Sequence, residues 1–214
     1  MSVTFDCGDP IQRERGLGAA IAAIRRNELV VLPTDTVYGL AADAFTPMAV
    51  DVLLSAKGRG RDVPVPVLVA SREMAEALVA TLTEAGRRLA DAFWPGPLTL
   101  VTTHNPGLMW DLGDTRGTVA VRMPEHPVAL ALIAETGPLA VSSANRSGEA
   151  PATTVLEAHE QLGEDVAVYL DGGPCERAVP STIVDLTGAV PRVLRLGALD
   201  TAALRAHVAD LVDA

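Results

Sequence analysis

The stretch "LVVLPTDTVYGLAAD", Leu29–Asp43, decides how the rest of the chain is read. Leu29, Val30, Val31 and Leu32 form a short apolar run that stops at Pro33. A run of that length, bounded by proline, reads as a buried strand. Thr34, Asp35 and Thr36 then follow at the strand's carboxyl end. In α/β sheets, ligands tend to sit beyond such ends. The same residues also suit a plain Pro-Thr-Asp turn with Tyr38 packed against it, and the stretch alone does not choose.

Upstream, "DPIQRERGLGAAIAAIRRNE" offers Asp9 as an N-cap and Pro10 as the first helical residue. Ile11, Leu17, Ile21 and Ile24 supply an apolar stripe at roughly helical spacing. Downstream, Thr46 and Pro47 repeat the signal and open a helix that ends near Lys57. "PVPVLVA", Pro64–Ala70, reads as a second strand, and Ser71 and Thr83 cap two further helices. "PLTLVTT", "GTVAVRMP" and "PLAVSS" add three strands, with the helix "HPVALALIAETG" before the last of them. The helix "VLEAHEQLG" and the strand "DVAVYL" follow. "STIVDL" and "RVLRLG", separated by "TGAVP", predict an antiparallel hairpin, and "DTAALRAHVADLVDA" a terminal amphipathic helix. Helices alternate with strands, but the hairpin and the proline-bounded strands predict a mixed sheet rather than a purely parallel one. The expectation is an α/β fold in one domain spanning residues 1–214.

Composition narrows the function. The chain has 214 residues, 49% hydrophobic, enough for one good-sized core. A formal net charge of -10 argues against broad charge-driven binding to nucleic acid or to an anionic membrane. Aromatics make up 3%, so stacking platforms for single-stranded nucleic acid are scarce. The N-terminal "MSVTFDCGDP" lacks the basic and apolar regions of a signal peptide, and no apolar run approaches the ~20 residues of a membrane span. Cys7 and Cys175 read as free thiols of a reducing compartment, so a soluble cytoplasmic protein is expected. There is no GxxxxGK[ST], and "GLGAAI" and "GRGRDV" both fail the last glycine of GxGxxG. His104, His126, His159 and His207 sit in no recognisable metal or triad pattern, and Asp111 and Asp114 read as turn residues. No metal-ligand cluster is expected.

Against that acidic background, "LSAKGRGRDVP", Leu54–Pro64, concentrates Lys57, Arg59 and Arg61 around two glycines. Such a loop suits an oligophosphate: lysine supplies a point charge, arginine a planar fork, and glycine lets the backbone approach. A solvated basic turn paired with Asp62 fits the same residues. "VSSANRSG", Val141–Gly148, follows a strand with Ser142, Ser143 and Asn145, which could grip phosphate or ribose, or simply form a turn. Arg122 lies inside the apolar strand "TVAVRMP" and needs a partner, either a substrate carboxylate facing a wet cavity or an internal Asp or Glu. Ser181 and Arg195 sit one on each strand of the last hairpin.

Taken together, "PTDTVYGLAAD", "KGR", "TVAVRMPEHP", "SSANRSG", "STIVDLT" and "RVLRLG" resemble, in order, the motifs of YrdC-like threonylcarbamoyl-adenylate synthases. The likeness runs from about Leu29 to Gly197. It implies a twisted mixed sheet flanked by helices around a large open cavity. It also implies the reaction of ATP, L-threonine and bicarbonate to threonylcarbamoyl-AMP and pyrophosphate, the first step of threonylcarbamoyladenosine formation on tRNA. By position, Lys57 and Arg59 would act on the phosphates. Arg61, Thr118, Ser142, Ser143, Asn145 and Arg195 would complete the ATP site, and Thr34, Arg122 and Ser181 would hold threonine. Mg2+ would come with ATP. Downstream tRNA-modifying proteins are the implied partners, with tRNA itself bound weakly or indirectly. The sequence departs from the family at Gly60, where a proline is usual, and at Ala70 and Ser71, where some relatives carry a histidine. No additional C-terminal domain is expected. Two other readings stand beside this one: a double-stranded RNA or tRNA-binding module, and a carbamoyl-adenylating enzyme of the hydrogenase-maturation type.

Overall fold

A computed structural model describes residues 2–213. Its strands are β1 (Val3–Asp6), β2 (Val30–Leu32), β3 (Gly39–Asp43), β4 (Val67–Leu68), β5 (Leu98–Thr103), β6 (Thr118–Arg122), β7 (Leu139–Ser143), β8 (Val168–Asp171), β9 (Thr182–Asp185) and β10 (Arg192–Arg195). Its helices are α1 (Pro10–Arg25), α2 (Pro47–Lys57), α3 (Arg72–Leu78), α4 (Glu84–Phe93), α5 (Pro127–Thr136), α6 (Val155–Leu162) and α7 (Thr201–Arg205). All the strands join one sheet in the order β1-β8-β2-β3-β7-β4-β6-β5-β9-β10. The sheet is mixed, as expected: β1/β8, β2/β8, β4/β6 and β5/β9 are parallel, the remaining pairs antiparallel.

Caps explain most helix starts. Asp9 accepts from the Gln12 amide, Ser71 from Met74, and Thr83 from Gly86, each satisfying a donor that has no partner inside its helix. Thr46 precedes α2 but makes no side-chain cap; its hydroxyl donates to Asp43 instead. The face that α1 buries is not the one its large residues suggest. Gly16, Ala20, Ala23 and Ile24 are buried, Leu17 and Ile21 pack at the margin, and Ile11 is exposed. Small residues face inward because the helix lies close against Phe5 and Leu170 of the sheet.

Four local expectations change. The strand read over Pro64–Ala70 shrinks to Val67–Leu68, because Pro64 and Pro66 have no N–H to give a ladder. The helix after Ser71 stops at Leu78, since Val79 leaves it to bridge His104. The terminal helix is only Thr201–Arg205; beyond it Val208 and Leu211 are buried in a turn, and Val212 bridges Arg192. Strands β1 and β3 were not anticipated. β3 makes an antiparallel hairpin with β2, Leu32 opposite Gly39, so the Pro33–Tyr38 segment is its loop.

The site is placed by the middle of the sheet. In β5, Leu98 and Leu100 enter the core while Thr99 and Val101 line a cavity. In β6, Val121 enters the core while Thr118, Ala120 and Arg122 line the same cavity. This two-residue alternation is the pleat putting successive side chains on opposite faces.

Candidate active site

The cavity has a volume of about 450 Å³. Its walls come from the β2–β3 loop, the segment after α2, the edge of β7, and the faces of β5, β6, β9 and β10. Chain segments far apart in sequence meet there through register. Gly39 lies opposite Ser143 and Leu40 opposite Ser142, so the "PTDT" loop and the "SSAN" turn sit at the same end of adjacent strands. Leu98 lies opposite Thr182, which brings Ser181 beside Thr99; their hydroxyls are 2.8 Å apart.

Two cations face this space without a carboxylate. Arg59 donates to Ser142 Oγ at 3.3 Å. Arg195 donates to the Ser181 carbonyl at 2.8 Å and to Ser181 Oγ at 3.3 Å. Both side chains line the cavity, and among the described residues neither forms an ion pair. Desolvation lowers both guanidinium groups from their ordinary values. A half-buried arginine remains charged even so. Asp62 acts on Arg59 from a distance without pairing with it, so two cations without an ion-pair partner face the cavity of a protein of net charge -10.

Lys57 is placed differently. It ends α2, where Gly58 takes a left-handed conformation (φ 63°) that turns the chain back. The Lys57 side chain is buried under the "SSAN" turn, donating to the Ser143 carbonyl at 2.5 Å and the Asn145 carbonyl at 2.6 Å. Burial, then the neighbouring Arg59, push its ammonium down to about 8. The Asn145 amide in turn holds the turn's own backbone, donating to Arg146 O and Glu149 O at 2.8 Å each. Asn145 Oδ1 is buried without a partner. Lys57 and Asn145 thus brace the turn that carries Ser142 and Ser143, the two members that line the cavity. Lys57 itself is not part of the cavity lining, and two of its three N–H groups are spent on these carbonyls.

Arg122 has an internal acid. It pairs with Asp35 at 2.5 Å, and the two side chains are only 8% and 7% exposed. Its Nε donates to the Gly96 carbonyl and its Nη1 to Thr36 Oγ1. The reading in which Arg122 waits for a substrate carboxylate without an internal partner is corrected accordingly: Asp35 is that partner. Three of its five N–H groups are spent this way, and the others remain while the side chain lines the cavity. Burial lowers the guanidinium from its ordinary value and Asp35 opposes this. Asp35 was visible in the sequence but carried no signal that it, rather than another acid, would meet a strand 87 residues away.

The remaining residues divide cleanly. Thr34 lines the cavity with its hydroxyl donating to Val37 O at 2.6 Å, and Thr118 does so with its hydroxyl on Thr115 O at 2.7 Å. Arg61 lies outside the lining and pairs with Asp51 and Asp111. Thr36, placed by the sequence at the end of β2 where ligands tend to sit, does line the cavity, whereas sequence reasoning missed Thr99 and Thr115. Alternation along β5 could have found Thr99; nothing local marks Thr115. Tyr38 fits the packing reading, fully buried with its hydroxyl donating to Gly173 O at 2.6 Å. His126 caps α5 through Nδ1, while His159 and His207 are exposed and rest on Tyr169 and Phe93.

A family model named Sua5_yciO_yrdC, described as "Telomere recombination", matches residues 22–197. The chain belongs to the Sua5/YciO/YrdC family. A Mycobacterium tuberculosis relative, whose name as a threonylcarbamoyl-AMP synthase is provisional, is 59% identical over 201 residues, covering 94% of this chain and 93% of that protein. The threonylcarbamoyl-AMP synthase of Bacillus subtilis is 40% identical over 186 residues, covering 86% of this chain but 54% of its own length. Among solved structures, Pyrococcus abyssi Sua5 complexed with L-threonine superposes with a TM-score of 0.91 at 34% identity. That match covers 100% of this chain and 62% of the other. This Sua5/YciO/YrdC chain therefore shares its fold with a protein that binds L-threonine, and the mixed helix-flanked sheet expected from the motifs is the family's.

Proposed function

We propose that this chain is a threonylcarbamoyl-AMP synthase, condensing ATP, L-threonine and bicarbonate into threonylcarbamoyl-AMP with release of pyrophosphate. The observation that carries this is the cavity in which Arg59 and Arg195 stand without carboxylates, beside hydroxyls from Thr34, Ser142 and Ser181. Unpaired cations in an acidic protein suit an anionic ligand. The names of the relatives support which one.

The chemistry asks for positioning rather than a protein nucleophile. The threonine amine adds to CO2 derived from bicarbonate, forming a carbamate and releasing a proton. A carbamate oxygen then attacks the α-phosphorus, and the bond to the β-phosphate oxygen breaks as pyrophosphate leaves. This is a nucleotidyl transfer. Preset positive charge on phosphate oxygens stabilises such a step without reorganisation. Arg59 and Arg195 supply it from the cavity wall, and Lys57 adds its charge from beneath the "SSAN" turn. Arg122, held rigid by Asp35, Thr36 and Gly96, offers its two remaining N–H groups to the threonine carboxylate. Thr34 and Ser181 flank it.

Mg2+ belongs with the nucleotide in this reading. Among the described residues no group of three His, Cys, Asp or Glu side chains could hold a metal ion, and Asp35 is committed to Arg122. The donor set therefore fits an ion coordinated mainly by phosphate and water, where it would screen the triphosphate charge. No helix among the described residues is long and apolar enough to cross a membrane.

The test is pyrophosphate release with each substrate omitted in turn. Release should require ATP, L-threonine and bicarbonate together. Equal release without threonine leaves a nucleotide hydrolase, and activity with carbamoyl phosphate instead of threonine and bicarbonate supports the carbamoyl-adenylating alternative.

A further inference from the structure

Arg59 is the cavity's half-buried phosphate hook in the proposed function, and its own amide is tied to the end of α2 by donating to Leu54 O at 3.0 Å. Gly58 and Gly60 flank it, and glycine restrains a chain less than any other residue. Beyond Gly60 the chain is held by contacts made at Arg61. Two residues on, Arg61 turns away from the cavity and forms two ion pairs. Nη1 meets Asp51 Oδ1 at 2.5 Å, on the outer face of α2, and Nη2 meets Asp111 Oδ1 in the 105–117 loop. The contact is reinforced by the backbone. The Asp114 amide donates to Arg61 O at 2.8 Å, and the Val65 amide to Leu112 O at 3.0 Å. Asp111 Oδ1 also accepts from the Gly113 amide, shaping the same loop. That loop carries Leu112 and Thr115 to the cavity wall.

We infer that Arg61 is a positioning residue: with Asp51 and Asp111 it clamps the Arg59 loop to α2 and to the 105–117 loop, closing the phosphate side of the cavity. The inference rests on the proposed synthase reading for its kinetic consequence, but the clamp itself does not. It replaces the expectation that Arg61 touches ATP. All three side chains are substantially exposed, between 41% and 57%, so the clamp is modest and salt-sensitive. Exposed pairs of this kind, taken together, set an effect of about fivefold.

The experiment uses the full chain and compares Arg61→Ala with Asp51→Ala. Asp51 is chosen because its carboxylate touches Arg61 from an exposed helical position where alanine is well tolerated. The clamp predicts that Arg61→Ala, which loses both pairs, raises the KM for ATP about fivefold at low salt with kcat nearly unchanged, and that Asp51→Ala, which keeps the Asp111 pair, raises it about twofold. It also predicts that the difference from wild type shrinks at high salt. If Arg61 acted by its charge on ATP, removing the negative charge of Asp51 would lower KM while Arg61→Ala raised it; that opposite response overturns the clamp. Hydrogen exchange reads the clamp without turnover: the Asp114 and Val65 amides should exchange faster in both variants. Unchanged exchange overturns it as well. Faster exchange in a protein whose wild type makes no threonylcarbamoyl-AMP supports the clamp and removes the synthase reading instead.

Discussion

Replacing Arg122 by glutamine tests the arrangement most directly. In the structure the Arg122–Asp35 pair is buried on both sides, and Asp35 Oδ2 already lacks a partner. Asp35 Oδ1 accepts from Arg122 and from the Glu125 amide, so one backbone N–H is all that would remain to it. Breaking a buried pair by removing one member leaves an uncompensated charge and costs about 3–5 kcal/mol. For a chain of this size each kcal/mol moves the melting temperature by about 2–4 °C. Arg122→Gln should therefore lower it by on the order of 10 °C. The double variant Asp35→Asn with Arg122→Gln removes the stranded charge and should recover much of that loss. Neighbours in one network couple by about 0.5–3 kcal/mol, well within reach of a melting experiment.

Threonine dependence is measured on the same proteins. Both the single and the double variant should need far more threonine, because neither retains a guanidinium fork for a carboxylate. Stability and substrate binding thus separate: the double variant melts near wild type and still binds threonine poorly. A melting temperature for Arg122→Gln within about 2 °C of wild type would refute the ion pair as the structural anchor. Recovery of threonine binding in the double variant would instead refute Arg122 as the carboxylate contact.

Lys57 ionises within reach of ordinary assays. Its folded value of about 8 lies below its ordinary value, so between about pH 8 and 10.5 the unfolded chain binds more protons and stability rises with pH from this group. Its loss of charge in the folded protein as pH rises through about 8 should weaken ATP binding, and Lys57→Met should abolish that basic limb of the KM profile. Arg195→Ala should raise the KM for ATP and flatten its salt dependence, seen by titration at two ionic strengths; an unchanged salt response places Arg195 away from the phosphates. Gly197→Ala would put a Cβ 2.2 Å from the Pro180 carbonyl and 2.6 Å from that of Ser181. Overpacking against backbone costs about 1–3 kcal/mol, so the variant should melt several degrees lower and lose activity as the Ser181 wall shifts.

Why some of this was legible and some was not follows from which interactions are local. Caps, proline stops and turn glycines act within a few residues, so Asp9, Ser71, Thr83 and the last hairpin read correctly. Strand β3 did not announce itself, because "GLAAD" is short and is buried along nearly its whole length, so it shows no alternation. The small-residue face of α1 was hidden for a related reason: periodicity finds large side chains, whereas close helix–sheet approach selects small ones. The site shows the same division more sharply. Five cations stood out in an acidic sequence, but their charge alone did not say which were free. Register did. Antiparallel pairing of β3 with β7 sets the "PTDT" loop beside the "SSAN" turn, the β2–β3 hairpin swings Asp35 onto Arg122, and the 105–117 loop brings Asp111 to Arg61. Those contacts neutralise Arg122 and Arg61 and bend Lys57 to backbone carbonyls, leaving Arg59 and Arg195 as the pair without an acid. An anionic substrate is thus selected less by where cations were placed than by where the many carboxylates of this chain were kept from going.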